Sequence, residues 1–327
     1  KFLSALLQAA IKVCFSEREF VIDDITYPAG TLIITRSDNN VLENFDDVLI
    51  QIANKFNRTL TPASTSFASS GPDFGSPYVK LINKPRIAVF TGEQTSSLSY
   101  GATWQFFEQQ LEYPITSIAV SEADRVNWSD YDVLVMPNGR YKLSENTLSQ
   151  LKSWVRTGGN LIAVDGALKL FADKEDFNLK TVQFESPKSK DSIISKLIPY
   201  ADREMDSSKS LISGSIFKTD VDSTHPLAFG YENTYYSLKI GDDAYSLLDE
   251  GYNVAYLNDN PPQSTSGFAG NEALNKLKNS LIFGVEPIGR GTITYMVDDP
   301  LFRAFWENGK LFFANALFIN NPNNYRK

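Results

Sequence analysis

Short apolar runs alternate with helix-like stretches between residues 86 and 167, and this alternation constrains the fold more than anything else in the chain. RIAVF (86–90), TSIAV (116–120), DVLVM (132–136) and NLIAV (160–164) are each apolar nearly throughout. A strand with one wet face alternates apolar and polar residues, whereas a strand apolar along its whole length is covered on both faces, as in a parallel sheet. The intervening stretches carry helical spacing, with Trp104, Phe107 and Leu111 in one and Leu148, Leu151, Trp154 and Val155 in another. The second has Ser144 as an N-cap and Gly158-Gly159 as a stop. Strands and helices in this order predict an α/β chain with a doubly wound, mostly parallel sheet and right-handed crossovers.

The rest of the chain is organised around that block. Residues 1–13 carry a helical stripe of Phe2, Leu3, Leu6, Leu7, Ala10 and Ile11. EFVIDDITYPAGTLIITR (19–36) alternates like a hairpin with Pro28-Ala29-Gly30 as its turn, and FDDVLIQIANKF (45–56) again has helical spacing. PASTSFASSGPDFGSP (62–77) has the composition of a linker or extended surface segment. We therefore expect a small α/β unit over 1–80 and a second domain over 81–327, with a polar insertion at about 168–215. Strands are expected near 253–257, 280–285 and 291–297, and a closing helix over Leu301–Ile319, interrupted at Gly309. The opening KFLSALLQAAIKV lacks Met and is already amphipathic, so it reads as the interior of a longer precursor.

Composition removes several chemistries. A net charge of −8 argues against nucleic acid as a partner, because phosphates need a basic surface, and also against an anionic membrane surface. No run of about 18 apolar residues occurs, so no membrane span is expected. The single cysteine, Cys14, excludes intramolecular disulfides and reads as a buried, inert thiol. With one Cys and one His (His225), an in-chain zinc site is not expected, and neither is any other cofactor.

Three blocks carry a family resemblance. TGEQTSSLSYGATWQFFEQQLEYPITSI (91–118) resembles the entry strand and first helix of the class I glutamine-amidotransferase-like domains at the C-terminal end of certain bacterial zinc carboxypeptidases of carboxypeptidase A type. VDDPLFRAFWENGKLFFANALF (297–318) resembles their closing segment, and YPAGTLIITR (27–36) with FGSPYVKLI (74–82) the region after their catalytic domain. The resemblance implies a flavodoxin-like, amidotransferase-like sheet in a secreted or periplasmic protein. It implies an upstream peptidase domain, a partner of this chain, that holds zinc through His-x-x-Glu and a later His. His225 is followed by Pro-Leu-Ala and no second His exists, so that pattern has no place here.

Such amidotransferases use a Cys at a strand-to-helix elbow with a downstream His and Glu. Here the elbow reads Val164-Asp165-Gly166-Ala167, without thiol or hydroxyl, and Thr-His-Pro at 224–226 is followed by Leu227 in place of the acid. The expectation is a non-catalytic accessory domain for interaction or substrate steering. The alternatives are a small-ligand, peptide or glycan-binding module, or a hydrolase using Glu93 and Asp165 as acid and base. Glu93, Asp165 and His225 are the candidate crevice residues, the two carboxylates each ending a strand where open α/β sheets bind ligands. The same carboxylates could simply cap helix N-termini. Asp298-Asp299 before Pro300 could hold a cation or cap the following helix, with Arg303 as an ion-pair partner. Trp104, Phe106, Phe107, Phe305 and Trp306 read as core aromatics or as a sugar-stacking platform. A homo-oligomer remains an open partner.

Overall fold

The computed structural model describes residues 1–183, 197–258, 260 and 262–325. The chain begins with α1 (Phe2–Gln8), the strands β1 (Cys14–Ser16), β2 (Phe20–Ile22), β3 (Ile25–Tyr27) and β4 (Leu32–Ile33), then α2 (Phe45–Lys55) and β5 (Val79–Leu81). It continues with β6 (Ile87–Thr91), α3 (Ser97–Gln105), β7 (Thr116–Ala119), β8 (Val133–Met136), α4 (Glu145–Arg156) and β9 (Asn160–Val164). After α5 (Arg203–Ser208) come β10 (Ile212–Val221), β11 (Thr234–Lys239), β12 (Tyr252–Leu257), β13 (Ser264–Ala269), α6 (Asn271–Lys276), β14 (Ser280–Ile288), β15 (Gly291–Met296) and α7 (Lys310–Phe318).

Among the described residues, ten strands form one sheet in the order β11-β10-β12-β14-β15-β9-β8-β6-β7, with β13 on the other side of β10. The strands from β15 to β7 are parallel, which gives the doubly wound half, and β14, β12, β10, β11 and β13 continue it as an antiparallel wing. The unbroken apolar runs have the expected cause. Ile87, Val89, Val133, Val135, Ile162 and Val164 enter one buried cluster, and Ala88, Phe90, Leu134, Met136, Leu161 and Ala163 enter a second. Alternate residues thus face opposite sides, and both sides are dry.

The first cluster also takes Leu6 and Leu7 of α1, Val13, Phe15 of β1, and Phe312, Phe313, Ala316 and Leu317 of α7. The second takes Leu151, Trp154 and Val155 of α4. Ser144 caps α4 as expected, its hydroxyl accepting the Thr147 N–H at 3.0 Å. The helix carrying Trp104, Phe107 and Leu111 ends in a π-turn over Phe106–Leu111. Phe106 and Phe107 lie edge-on to Phe313 at ring separations of 5.6 and 6.1 Å.

Several expectations are revised. The tight hairpin turn is Asp23-Asp24, both with positive φ (52° and 60°), the geometry that a two-residue hairpin requires. Pro28–Gly30 instead turns the chain from β3 towards β4. The closing segment is two 3-10 turns followed by α7, and Arg303 has a positive φ and lies over the Phe302 ring rather than pairing with an aspartate. Trp104 and Phe305 are exposed, not core. β10, β11 and β13 are not legible as strands in the sequence, and β10 opens within the stretch expected to be a polar insertion. Residues 184–196 of that stretch lie outside the described residues.

Phe313→Ala should remove the wedge between α7 and the π-turn. The expected cost is about 3–5 kcal/mol, from lost burial plus the cavity left behind, read as a lower midpoint in urea unfolding at unchanged slope.

Candidate functional site

The site lies where the parallel strands end. β15 pairs with β9 so that Met296 stands opposite Val164. The residues that follow each strand, Asp165 on one side and Asp298-Asp299 on the other, therefore leave the sheet side by side. β8 ends two residues before Asn138, and α3 brings Ser99 to the same edge.

Asp165 is the elbow. It follows β9 directly, adopts φ +50°, and opens a 3-10 segment, Asp165–Leu170. A non-glycine residue in the left-handed region is strained, and such strain concentrates where a side chain must be aimed. Asn138 holds the elbow from both sides. Its Nδ2 donates to Asp165 Oδ2 at 2.7 Å, and its Oδ1 accepts the Gly166 N–H at 3.3 Å. Gly166 is required by this contact, since a Cβ there would lie 2.6 Å from Asn138 Oδ1 and 2.7 Å from the Gly139 carbonyl oxygen.

Ser99 links Asn138 to the neighbouring aspartates. Its hydroxyl accepts the Asn138 N–H at 3.1 Å and donates to Asp299 Oδ2 at 2.8 Å. Asp299 Oδ1 accepts the Leu301 N–H at 2.9 Å, a local turn ahead of the 3-10 segment Phe302–Ala304, whose N-cap is Leu301. Asp298 is buried and pairs with the buried Lys239 at 3.1 Å, and the Ser237 hydroxyl donates to its second oxygen. Asp298 and Asp299 thus both spend their two oxygens on protein donors. Among the described residues no group of three or more His, Cys, Asp or Glu is placed to hold a metal ion.

Burial pushes the Asp165 carboxyl up to about 7, and the negative charges of Asp298, Asp299 and Asp243 add to the effect while Lys239 opposes it. Burial also raises Asp299, against the hydrogen bonds from Leu301 and Ser99. The elbow therefore carries a carboxylic acid that keeps its proton close to neutrality, in an environment poor in positive charge.

Glu93 begins a loop whose Gln94, Thr95 and Ser96 bond to residues 138–140 beside the elbow, whereas His225 caps a separate turn. Glu93 is exposed on the loop after β6 and has no hydrogen bond or ion pair with Asp165 among the described residues. His225 is buried, and its Nδ1 accepts the Leu227 N–H at 3.1 Å, capping the 3-10 turn Pro226–Ala228. Its ring lies 4.8 Å from that of Tyr252, and burial lowers its pKa to about 4. Cys14 is on β1, with burial raising its thiol to about 11. Sequence reasoning missed Asn138, Ser99 and Lys239. Asn138 had a signal, being a polar residue just past a buried parallel strand. Lys239 had none, because the strand that carries it was not recognised.

The chain matches no family model and no curated protein. Similar solved structures include one described as ThuA-like from Parabacteroides merdae, at 12% identity and TM-score 0.46, covering 71% of this chain and 89% of that one. Another, described as ThuA-like from Bacteroides uniformis, has 10% identity and TM-score 0.44, with 71% and 89% covered. A glutamine amidotransferase from Thermotoga maritima is a third (8%, TM-score 0.41, 71% and 96%). Likeness at this level says nothing about activity, which has to be read from the residues themselves.

Asp165→Asn should stabilise the protein above neutral pH. The folded pKa is raised, so the folded state holds a proton that the unfolded chain releases. Between roughly pH 4 and 7 stability falls as pH rises, towards a penalty on the order of 4 kcal/mol. Urea unfolding at pH 8 should favour the Asn variant by at least about 1 kcal/mol, and at pH 4 the two proteins should nearly coincide. Lys239→Met should cost about 3–5 kcal/mol, since it leaves Asp298 buried without its partner.

Proposed function

We propose that this chain is a non-catalytic, amidotransferase-like module serving as an accessory unit of a secreted or periplasmic zinc carboxypeptidase. One observation carries the non-catalytic reading. The position at which a nucleophile would be displayed bears Asp165, strained into the elbow and fastened by Asn138. Acyl transfer through a covalent intermediate needs a nucleophile with a base in reach. The single histidine is committed to a backbone cap, and the single cysteine sits on a strand of the small N-terminal sheet. Neither belongs to the elbow.

The accessory reading is supported by the resemblance of residues 27–36, 74–82, 91–118 and 297–318 to the C-terminal regions of such peptidases. In that setting zinc belongs to the upstream domain, and this chain needs no cofactor. Its own work would be contact with the peptidase domain or substrate steering. The hydrolase alternative, with Glu93 and Asp165 as acid and base, is less well supported, because Asp165 Oδ2 is already engaged by the Asn138 amide and Glu93 is exposed to solvent.

Two experiments test these halves separately. Purified protein should hydrolyse L-glutamine and p-nitrophenyl acetate no faster than its Asp165→Ala variant. A rate lost in that variant, with the circular dichroism spectrum intact, would refute the non-catalytic reading. The coding sequence upstream of Lys1 should contain His-x-x-Glu and a later His, and a region lacking them would refute the peptidase parent.

A further inference from the structure

A cleft of about 850 Å³ lies in the N-terminal region, lined by Arg18, Ser66, Phe67, Asp73, Ser76 and Tyr78 among others. That volume falls within the roughly 300–1,000 Å³ of small-molecule sites. One wall is the 62–77 segment, whose composition suggested a linker. It is built instead as a fixed loop. The Ser69 N–H donates to the Val21 carbonyl and the Val21 N–H to the Ser70 carbonyl, both at 2.8 Å. The Phe74 N–H donates to the Ser66 carbonyl at 3.1 Å. Gly71, at φ +80°, lies so close to β2 that a Cβ would sit 2.3 Å from the Glu19 carbonyl oxygen. Beneath the loop, Phe74 packs edge-on against Phe20 at 5.9 Å.

This anchored loop turns Phe67 outward. Ala68 and Phe74 join the small apolar cluster under it, whereas Phe67 does not and is 73% exposed. Across the cleft the Arg18 guanidinium lies 3.5 Å above the centre of the Tyr78 ring. It makes no ion pair among the described residues, so its donors are aimed by stacking rather than used. Asp73 is likewise aimed, because its Oδ1 accepts the Ala68 N–H at 2.7 Å and its Oδ2 is left as an acceptor.

We propose that this cleft binds a neutral oligosaccharide, with Phe67 covering the apolar C–H face of one pyranose and Arg18 and Asp73 taking its hydroxyls. A pyranose has one face apolar enough for an aromatic ring and a rim of groups that both donate and accept. The cleft offers a bare aromatic, a fixed donor fork and a fixed acceptor. Arg18 and Asp73 together carry no net charge, which suits a neutral sugar rather than an anion. A peptide adding to the sheet edge is a poorer fit, since the Val21 backbone is already bonded to Ser69 and Ser70. None of the residues lining the cleft belongs to the elbow, and the proposal is independent of the peptidase reading.

Saturation-transfer NMR and calorimetry on the whole chain, with cello-, manno-, xylo-, galacto- and maltotriose as probes, test this. At least one trisaccharide should bind with a micromolar to millimolar Kd. Phe67→Ala and Arg18→Ala should each weaken it by at least about tenfold, and Asp165→Asn should leave it unchanged. Phe67 and Arg18 are exposed and can be altered without opening the core, and circular dichroism verifies the fold of every variant. Failure of every probe to bind, or binding that survives Phe67→Ala, would overturn the proposal. So would binding of a proline-rich or aromatic peptide at this cleft in place of all the sugars.

Discussion

Parallel pairing of β15 with β9 is the constraint on which the rest of the site depends. β9 arrives through the doubly wound half and β15 through the antiparallel wing, from a part of the chain more than a hundred residues later. Their register sets Val164 beside Met296, and the two chain segments leaving the sheet then carry Asp165 and Asp298-Asp299 to one edge. Like charges gathered in a dry place cannot all ionise, so the arrangement needs compensation. Lys239 supplies it for Asp298, while donors from Leu301 and Ser99 supply it for Asp299. Among the described residues Asp165 receives one side-chain donor, the Asn138 amide, and burial with the neighbouring charges pushes its carboxyl up to about 7.

The elbow keeps the geometry of a displayed nucleophile without the chemistry. The positive φ at Asp165 and the missing Cβ at Gly166 are what a sharp strand-to-helix turn needs. A thiol there would be exposed to substrate. A carboxyl held by Asn138 and facing two more carboxyls is fixed to its own protein. The same backbone therefore serves as a joint between two halves of the sheet, which is consistent with a module whose work is contact rather than turnover.

The parallel half was legible because both-face burial leaves an unmistakable mark, an apolar run with no polar phase, as in Leu134 and Val135 facing opposite clusters. The elbow was legible because Asp165-Gly166 stands just past such a run. The antiparallel wing was not. β10 and β11 alternate buried and exposed residues, but the buried phase of β11 carries Tyr235, Ser237 and Lys239, which read as a wet face. Only the tertiary partner Asp298 makes a buried lysine sensible. The 62–77 segment misled in the opposite sense. Its Ser, Gly and Pro content suggests a tether, yet its backbone is hydrogen-bonded to β2 and Gly71 is there for close approach, not for freedom.

Carbon-13 NMR of protein labelled at aspartate carboxyl groups measures the central claim directly. One resonance, absent from the Asp165→Asn spectrum, should titrate with a midpoint near 7. A midpoint close to the ordinary aspartate value of about 4 would mean that the elbow carboxylate is charged at neutral pH, and would contradict this account of the site.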